Sequence, residues 1–310
     1  MERSTLLHEE NQLIKKLSDL RTKLNALAPI GVLPPEVLLQ ILSICAHRTN
    51  PSSRRSFRHV MAFSQVCRQW RALALQTSNL WTIIDLCNIA YASTYLTRSG
   101  DAHISLVAAS PVIAYSESLE KHKSRISSIH AVLFPDNMYA LFRSIDASDT
   151  VLLSSLTELN LRIPPIADRV DLSCAQTPAV RKLTLEGVMV DWESCQKLIV
   201  LKLVGLPATH APSYRQLFGM FERSPSAKEI HMEDVEPHDR DYWFPSKVTL
   251  SRLSGLAVVS KQADSDFMRI LQENLIILPM TQVKFRPSGA AIWTPNFRHH
   301  FPVNTVLQDV

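Results

Sequence analysis

His238-Asp239-Arg240-Asp241 sets an imidazole beside two carboxylates, the groups that general acid–base chemistry uses. It follows Pro237 in a loop-like stretch, and no nucleophile can be matched to it. His8-Glu9-Glu10-Asn11-Gln12 lacks the second histidine that a zinc-binding helix requires, and His299-His300 has no acidic or cysteine partner at ligand spacing. The seven glycines are isolated, so no loop can bring consecutive backbone N–H groups onto a phosphate. No Gly-x-Ser-x-Gly elbow occurs. The sequence therefore assigns no catalytic residue, no metal ligand and no cofactor.

Composition sets the wider limits. The 310 residues are 46% hydrophobic and 20% charged, as in a globular chain long enough for two domains. The formal net charge is +4, and the one basic cluster is Arg48, Arg54, Arg55, Arg58 and His59, with Phe57 its only aromatic neighbour. That reads as a solvated loop rather than a nucleic-acid surface. No apolar run approaches the roughly 18 residues of a membrane span, and Met1-Glu2-Arg3-Ser4 leads into charged helix rather than a secretory core. Cys45, Cys67, Cys87, Cys174 and Cys195 are odd in number and scattered, which suits reduced, mostly buried thiols in a cytoplasmic or nuclear protein.

The elements able to bind a partner are better marked. Leu33-Pro34-Pro35-Glu36 opens a helix: proline tolerates the first turn, and Glu36 complements the positive end of the dipole. From Val37 to Cys45 only Gln40 and Ser43 are polar, so this helix is apolar on nearly every side. A second helix is predicted from Val60 to Leu75, with Met61, Phe63, Val66, Trp70, Leu73 and Ala74 as its stripe and Arg68, Gln69 and Arg71 toward solvent. Leu80 to Leu86 reads as a strand. A unit of about 55 residues buries a small share of its surface, and this one has more apolar helix than it can hide. The surplus implies a partner.

In those three landmarks, LPPEVLLQIL, VCRQWRALA and LWTIIDL, the chain resembles the F-box family. The resemblance implies a small helical module that docks on the Skp-type adaptor of a cullin-RING ubiquitin ligase. It places Leu33, Pro34, Glu36, Leu38, Ile41, Leu42, Val66 and Trp70 in or behind the adaptor-binding face. The segment Ala46 to His59 is a longer, basic loop than the shortest family members have. A cysteine-dependent ligase would need a low-pKa thiol, for which Cys174 and Cys195 are unassigned. The resemblance implies instead a non-catalytic adaptor that acts by proximity.

Before this module, Leu6, Leu13, Leu17, Leu20, Leu24 and Leu27 mark a helix over residues 4–28, stopped by Pro29. Glu10 interrupts its seam, and packing on the neighbouring module is expected over self-association. After the module, short apolar doublets recur every 18 to 30 residues, from Ile83-Ile84 through Ile104-Leu106, Ile129-Ala131, Leu159-Leu161, Leu183-Leu185, Leu201-Leu203, Ile230-Met232 and Leu256-Val258 to Val283-Phe285. Leu156, Val180, Leu198, Ala227 and Leu253 stand three residues before five of them, which is the leucine-rich-repeat spacing. The asparagine that usually follows is absent, with Pro164, Val188, Leu206, Val235 and Lys261 in its place. Helices are predicted at Ile89 to Arg98, Val112 to His122, Asn137 to Ile145, Trp192 to Leu198, Ser213 to Arg223 and Asp264 to Leu275. The pattern resembles the irregular leucine-rich repeats found behind F-boxes, including those of mushroom-forming fungi. An ordinary α/β domain is the alternative.

The expected fold is thus α/β: an N-terminal amphipathic helix (1–28), a helical F-box module (29–86), and a leucine-rich-repeat-like solenoid with a curved parallel sheet (87–310). Residues flanking and separating the doublets would face the concave side, where a client protein is expected. They are Glu158, Asn160 and Arg162; Lys182, Thr184 and Glu186; Lys202 and Val204; Glu229, His231 and Glu233; Lys284 and Arg286. The expected partners are a Skp-type adaptor, cullin through it, and a client protein, with no nucleic acid and no membrane. The competing function is a repeat-domain interaction scaffold without ligase association.

Overall fold

The computed structural model describes residues 2–47, 58–109, 119–148, 151–235, 237, 247–260, 266–277 and 282–287. Two compact units divide the chain, one within residues 1–85 and 90–102, the other within 86–89 and 103–310.

In the first unit, helix α1 (Glu2–Leu27) ends before Pro29, and one 3-10 turn (Pro29–Val32) leads to α2 (Pro35–His47). The Pro34 carbonyl accepts the Leu38 N–H at 3.0 Å, so Pro35 occupies the first turn as its fixed φ favours. The single helix expected from Val60 to Leu75 is two, α3 (Arg58–Val66) and α4 (Arg68–Gln76). Cys67 is extended between them (φ −155°, ψ 173°), and its carbonyl accepts the Arg71 N–H at 3.0 Å. Arg71 stabilises the break by donating Nε to the Ser64 carbonyl at 2.7 Å, a role the helical periodicity had left to solvent. The strand expected from Leu80 to Leu86 is also shorter. Leu80 and Trp81 wind into a 3-10 turn (Ser78–Trp81), and only β1 (Ile83–Asp85) is extended.

Trp81 is the centre of this unit. It is fully buried and donates Nε1 to the Ala74 carbonyl at 2.6 Å, satisfying its one polar atom. Helix α5 (Ile89–Arg98) sets Tyr95 edge-on to it at 4.9 Å and the Arg98 guanidinium 4.4 Å over its ring. Burial pushes the Tyr95 hydroxyl up to about 12. The sequence pattern grouped α5 with the repeat helices, but its packing is with the first unit, because Trp81 needs a lid.

The second unit contains one parallel sheet of eight strands in chain order: β2 (Ile104–Ala108), β3 (Ile126–Val132), β4 (Glu158–Arg162), β5 (Lys182–Glu186), β6 (Val200–Leu206), β7 (Glu229–Val235), β8 (Gly255–Ser260) and β9 (Gln282–Pro287). Every doublet from Ile129 onward is in register, with Ile129, Leu159, Leu183, Leu201, Ile230, Leu256 and Val283 in one row. Ala131, Leu161, Leu185, Leu203, Met232, Val258 and Phe285 form the next. From Ile129 through Val283 the first row is at most 3% exposed, so a slip by one residue would turn leucines out to water.

Helices α6 (Pro135–Ile145), α7 (Tyr214–Glu222) and α8 (Asp266–Asn274) lie between strands. They meet short parallel strands: α6 touches Val170–Leu172, α7 touches Val248–Leu250, and α8 touches Leu275–Ile277. Ser213 caps α7 in a reciprocal box with Gln216. The helix expected at Trp192 to Leu198 is a series of turns, because Asp191 captures this segment. Its carboxylate accepts the Glu193 N–H and its carbonyl accepts the Ser194 hydroxyl. Most of the helix expected at Val112 to His122 lies outside the described residues.

The missing asparagines have a structural counterpart. Gly187 (φ +70°), Gly205 (φ +62°) and Asp234 (φ +49°) turn left-handed at one shared repeat position, and each is followed by a buried apolar residue: Val188, Leu206 or Val235. The strands end by placing a hydrophobic side chain inward where the regular repeat uses an amide.

Candidate functional site

One face of the second unit's sheet is buried and the other is open. On the open face the register sets His130, Asn160, Thr184, Lys202, His231, Ala257 and Lys284 side by side in a middle row. Glu158, Lys182 and Glu229 belong to the row before it, and Arg162, Glu186, Val204, Glu233 and Arg286 to the row after. The residues singled out from the sequence therefore share three adjacent rows. For Lys284 and Arg286 this holds for backbone position alone, since their side chains lie outside the described residues.

Part of this face neutralises itself. Glu158 lies 3.9 Å from His130 Nε2 and 3.6 Å from Lys182 Nζ. His231 lies 3.3 Å from Glu233, and Arg162 Nε donates to Asn160 Oδ1 at 3.3 Å. An exposed pair such as Lys182 with Glu158 contributes about 0–1 kcal/mol. His130 was not singled out from the sequence, yet it stands in the middle row. Burial holds its imidazole below the usual histidine range, against the pull of Glu158, and Lys182 lowers it further.

Toward β8 the face opens into a shallow depression of about 230 Å³, lined by Lys202, Glu229, His231, Gly255, Ala257 and Gln282 among others. Gly255 and Ala257 keep it open, since a Cβ at Gly255 would meet no atom within 4 Å. Small residues at these two positions are the signal that sequence reading passed over.

The first unit carries an apolar surface of its own. Val37, Ile41 and Ile44 recur at i, i+4 and i+7 on α2 and are 39%, 37% and 57% exposed. Val66, at the end of α3, is 58% exposed. Trp70 and Leu33 are half-buried, while Pro34 and Glu36 are exposed. Leu38 and Leu42 are each 1% exposed, so they pack inside the unit and support the face rather than form it. Sequence reading missed Val37 and Ile44, because a helix apolar on every side does not announce which side its neighbours will cover.

Residues 30–87 match the family model for F-box-like domains. The match contains all of α2, α3, α4 and β1, and no curated protein matches the chain. F-box domains typically bind Skp-type adaptors of ubiquitin ligases, and the proteins that carry them are generally non-catalytic adaptors. The exposed stripe of α2 thus belongs to the F-box-like segment. The remainder of the chain is mixed α/β with a large parallel sheet.

The cysteines outside the F-box-like segment argue against thiol chemistry at the buried position. Burial pushes the Cys195 thiol up to about 12, and it donates to the Asp191 carbonyl at 3.5 Å. Only Cys195 is buried; Cys45 and Cys174 are exposed and Cys67 and Cys87 half-buried, which corrects the expectation of mostly buried thiols. Among the described residues no cluster of three or more His, Cys, Asp or Glu could hold a metal, and no helix is long and apolar enough to cross a membrane. His238-Asp239-Arg240-Asp241, His299-His300 and residues 48–57 of the basic loop lie outside the described residues.

Proposed function

We propose that this chain is an F-box substrate receptor, which docks on a Skp-type adaptor, reaches a cullin through it, and presents a client protein for ubiquitin transfer. Val37, Ile41, Ile44 and Val66, with Leu33, Pro34, Glu36 and Trp70 at the margins, form the adaptor face, and Leu38 and Leu42 hold it from behind. The client lies on a leucine-rich-repeat-like sheet across Glu158, Asn160, Arg162, Lys182, Thr184, Glu186, Lys202, Glu229, His231, Glu233, Lys284 and Arg286. Lys202 and Glu229 line the depression and form no ion pair with the described residues, so they are free to meet opposite charges on the client. The chain's own contribution is proximity, in the cytoplasm or nucleus.

The observation that supports this reading is the exposed Val37–Ile41–Ile44 stripe within the matched segment. Apolar side chains exposed side by side on one helix favour a covering partner. Co-expression with a Skp-type adaptor should yield a complex that Ile41→Asp with Val66→Asp abolishes without unfolding the chain. Failure of the wild-type chain to bind any Skp-type adaptor sinks the receptor and leaves a free-standing interaction scaffold.

A further inference from the structure

Helix α1 is long and regular, and its leucines are exposed. Over 26 residues it spans about 39 Å. Leu6, Leu13, Leu20 and Leu27 recur every seventh residue and are 61%, 60%, 58% and 79% exposed. Leu17 and Leu24 complete the seam at 50% and 67%, with Leu7 and Ile14 beside it at 50% and 58%. The expected packing of this seam on the neighbouring module does not occur among the described residues. What the helix gives that module is its polar back, where Arg68 donates to Ser18 Oγ at 2.6 Å and lies 3.6 Å from Asp19. A helix with this much leucine exposed along one line is not stable in water by propensity alone.

The charges beside the seam decide how it could be covered. With the leucines spaced by seven as position d, Glu10, Leu17 and Leu24 are position a. Glu9, Lys16 and Lys23 form one flank (position g), and Leu7, Ile14 and Arg21 the other (position e). A parallel pair would set Glu10 against Glu10 of the second copy inside the seam, and Lys16 against Arg21. Reversing one copy parts Glu10 from its twin, setting it on Leu20 instead, and leaves a single like-charge contact on the flanks, Lys16 on Lys16. In the antiparallel register that sets Leu17 on Leu13 of the second copy, Lys23 falls opposite Glu9 with Glu10 beside it, twice per pair. The other flank then closes with Ile14 on Ile14.

We infer that α1 is a self-association element, and that a second copy of this chain covers its leucine seam as an antiparallel helix pair. The contact joins two receptor chains through the segment that precedes each F-box-like domain. Leu13 on Leu17 and Leu6 on Leu24 carry its apolar area, and Glu9 and Lys23 set its direction.

The full chain, bound to its adaptor and alone, should show a concentration-dependent dimer by sedimentation velocity in the micromolar range. Leu13→Glu with Leu20→Glu should return it to monomer with unchanged adaptor binding, since both side chains are exposed. Glu9→Lys should weaken the dimer roughly tenfold, and adding Lys23→Glu should restore it. In a parallel pair these two positions face Ile14 and Ala28, and neither change would matter. A chain that stays monomeric at every concentration overturns the inference, as does a dimer indifferent to Glu9→Lys. A seam that is covered only when adaptor is added, with one receptor per complex, assigns it to the adaptor and overturns it too.

Discussion

The two units treat apolar side chains in opposite ways. In the second, the residues the sequence repeats most insistently vanish inward: Leu159, Leu183 and Leu203 are all fully buried, and the open rows are mostly polar and of mixed sign, with Val132 and Val204 among them. In the first, apolar residues are divided between a small core around Trp81 and an outside that includes Val37, Ile41, Ile44 and Val66. A sheet that repeats one unit completes its own interior with each added neighbour. A few helices cannot, and their remainder is surface for others. The difference teaches where to look for partners: an apolar one at the helices, a polar one at the sheet.

Several substitutions would break or sharpen this contrast. The largest effect belongs to the buried ring, where Trp81→Ala should cost about 3–5 kcal/mol by removing a filled core and leaving the Ala74 carbonyl without its donor. Leu203→Ala on the sheet should cost about 2–5 kcal/mol in a denaturant titration. Ile41→Ala, with equal apolar chemistry but 37% exposure, should cost under about 1 kcal/mol in the same titration while weakening adaptor binding. If Ile41→Ala destabilises as Leu203→Ala does, the contrast between interior and interface residues is wrong. Gly205→Ala, at φ +62°, should cost about 1–2 kcal/mol, against a negligible effect for Gly255→Ala, whose Cβ would enter open space.

Smaller still is a pH effect in the second unit. Asp146 is paired with Lys123 and accepts from Ser148, and these bonds hold its carboxyl down to about 2. A depressed folded-state pKa stabilises the fold above the ordinary carboxylate range, and that contribution is lost as pH falls from about 4 to about 2. Acid titration of Asp146→Asn should therefore be flatter than that of the parent over this interval. An identical acid limb would show that the pair adds nothing to stability.

The sheet was legible in the sequence because its period is short and its answer binary: a doublet is in or out, and neighbours with the same period must align. The turns at Asp191 were not, since one carboxylate and one carbonyl redirected a segment whose composition reads as helix. Nor was the break at Cys67, which depends on Arg71 reaching back to Ser64. The exposed side of α2 was half legible. The helix was read as apolar nearly all round, but that Val37 and Ile44 stay outside while Leu38 and Leu42 turn in is decided by what α3 and the Ser78–Trp81 turn cover. The sheet's open face was found in its charged positions, while Gly255 and Ala257, which matter through what they lack, carried no polar signal.

Gly187, Gly205 and Asp234 mark a corner at which three strands leave the sheet in the same manner. One residue past that corner the main ladder closes, with Leu206 on Val235, and Val188 turns to pair with Val170, so segments of unequal length can be spliced in beyond it without shifting a side chain on the polar rows. Those rows can then change one residue at a time, with the scaffold beneath them left alone.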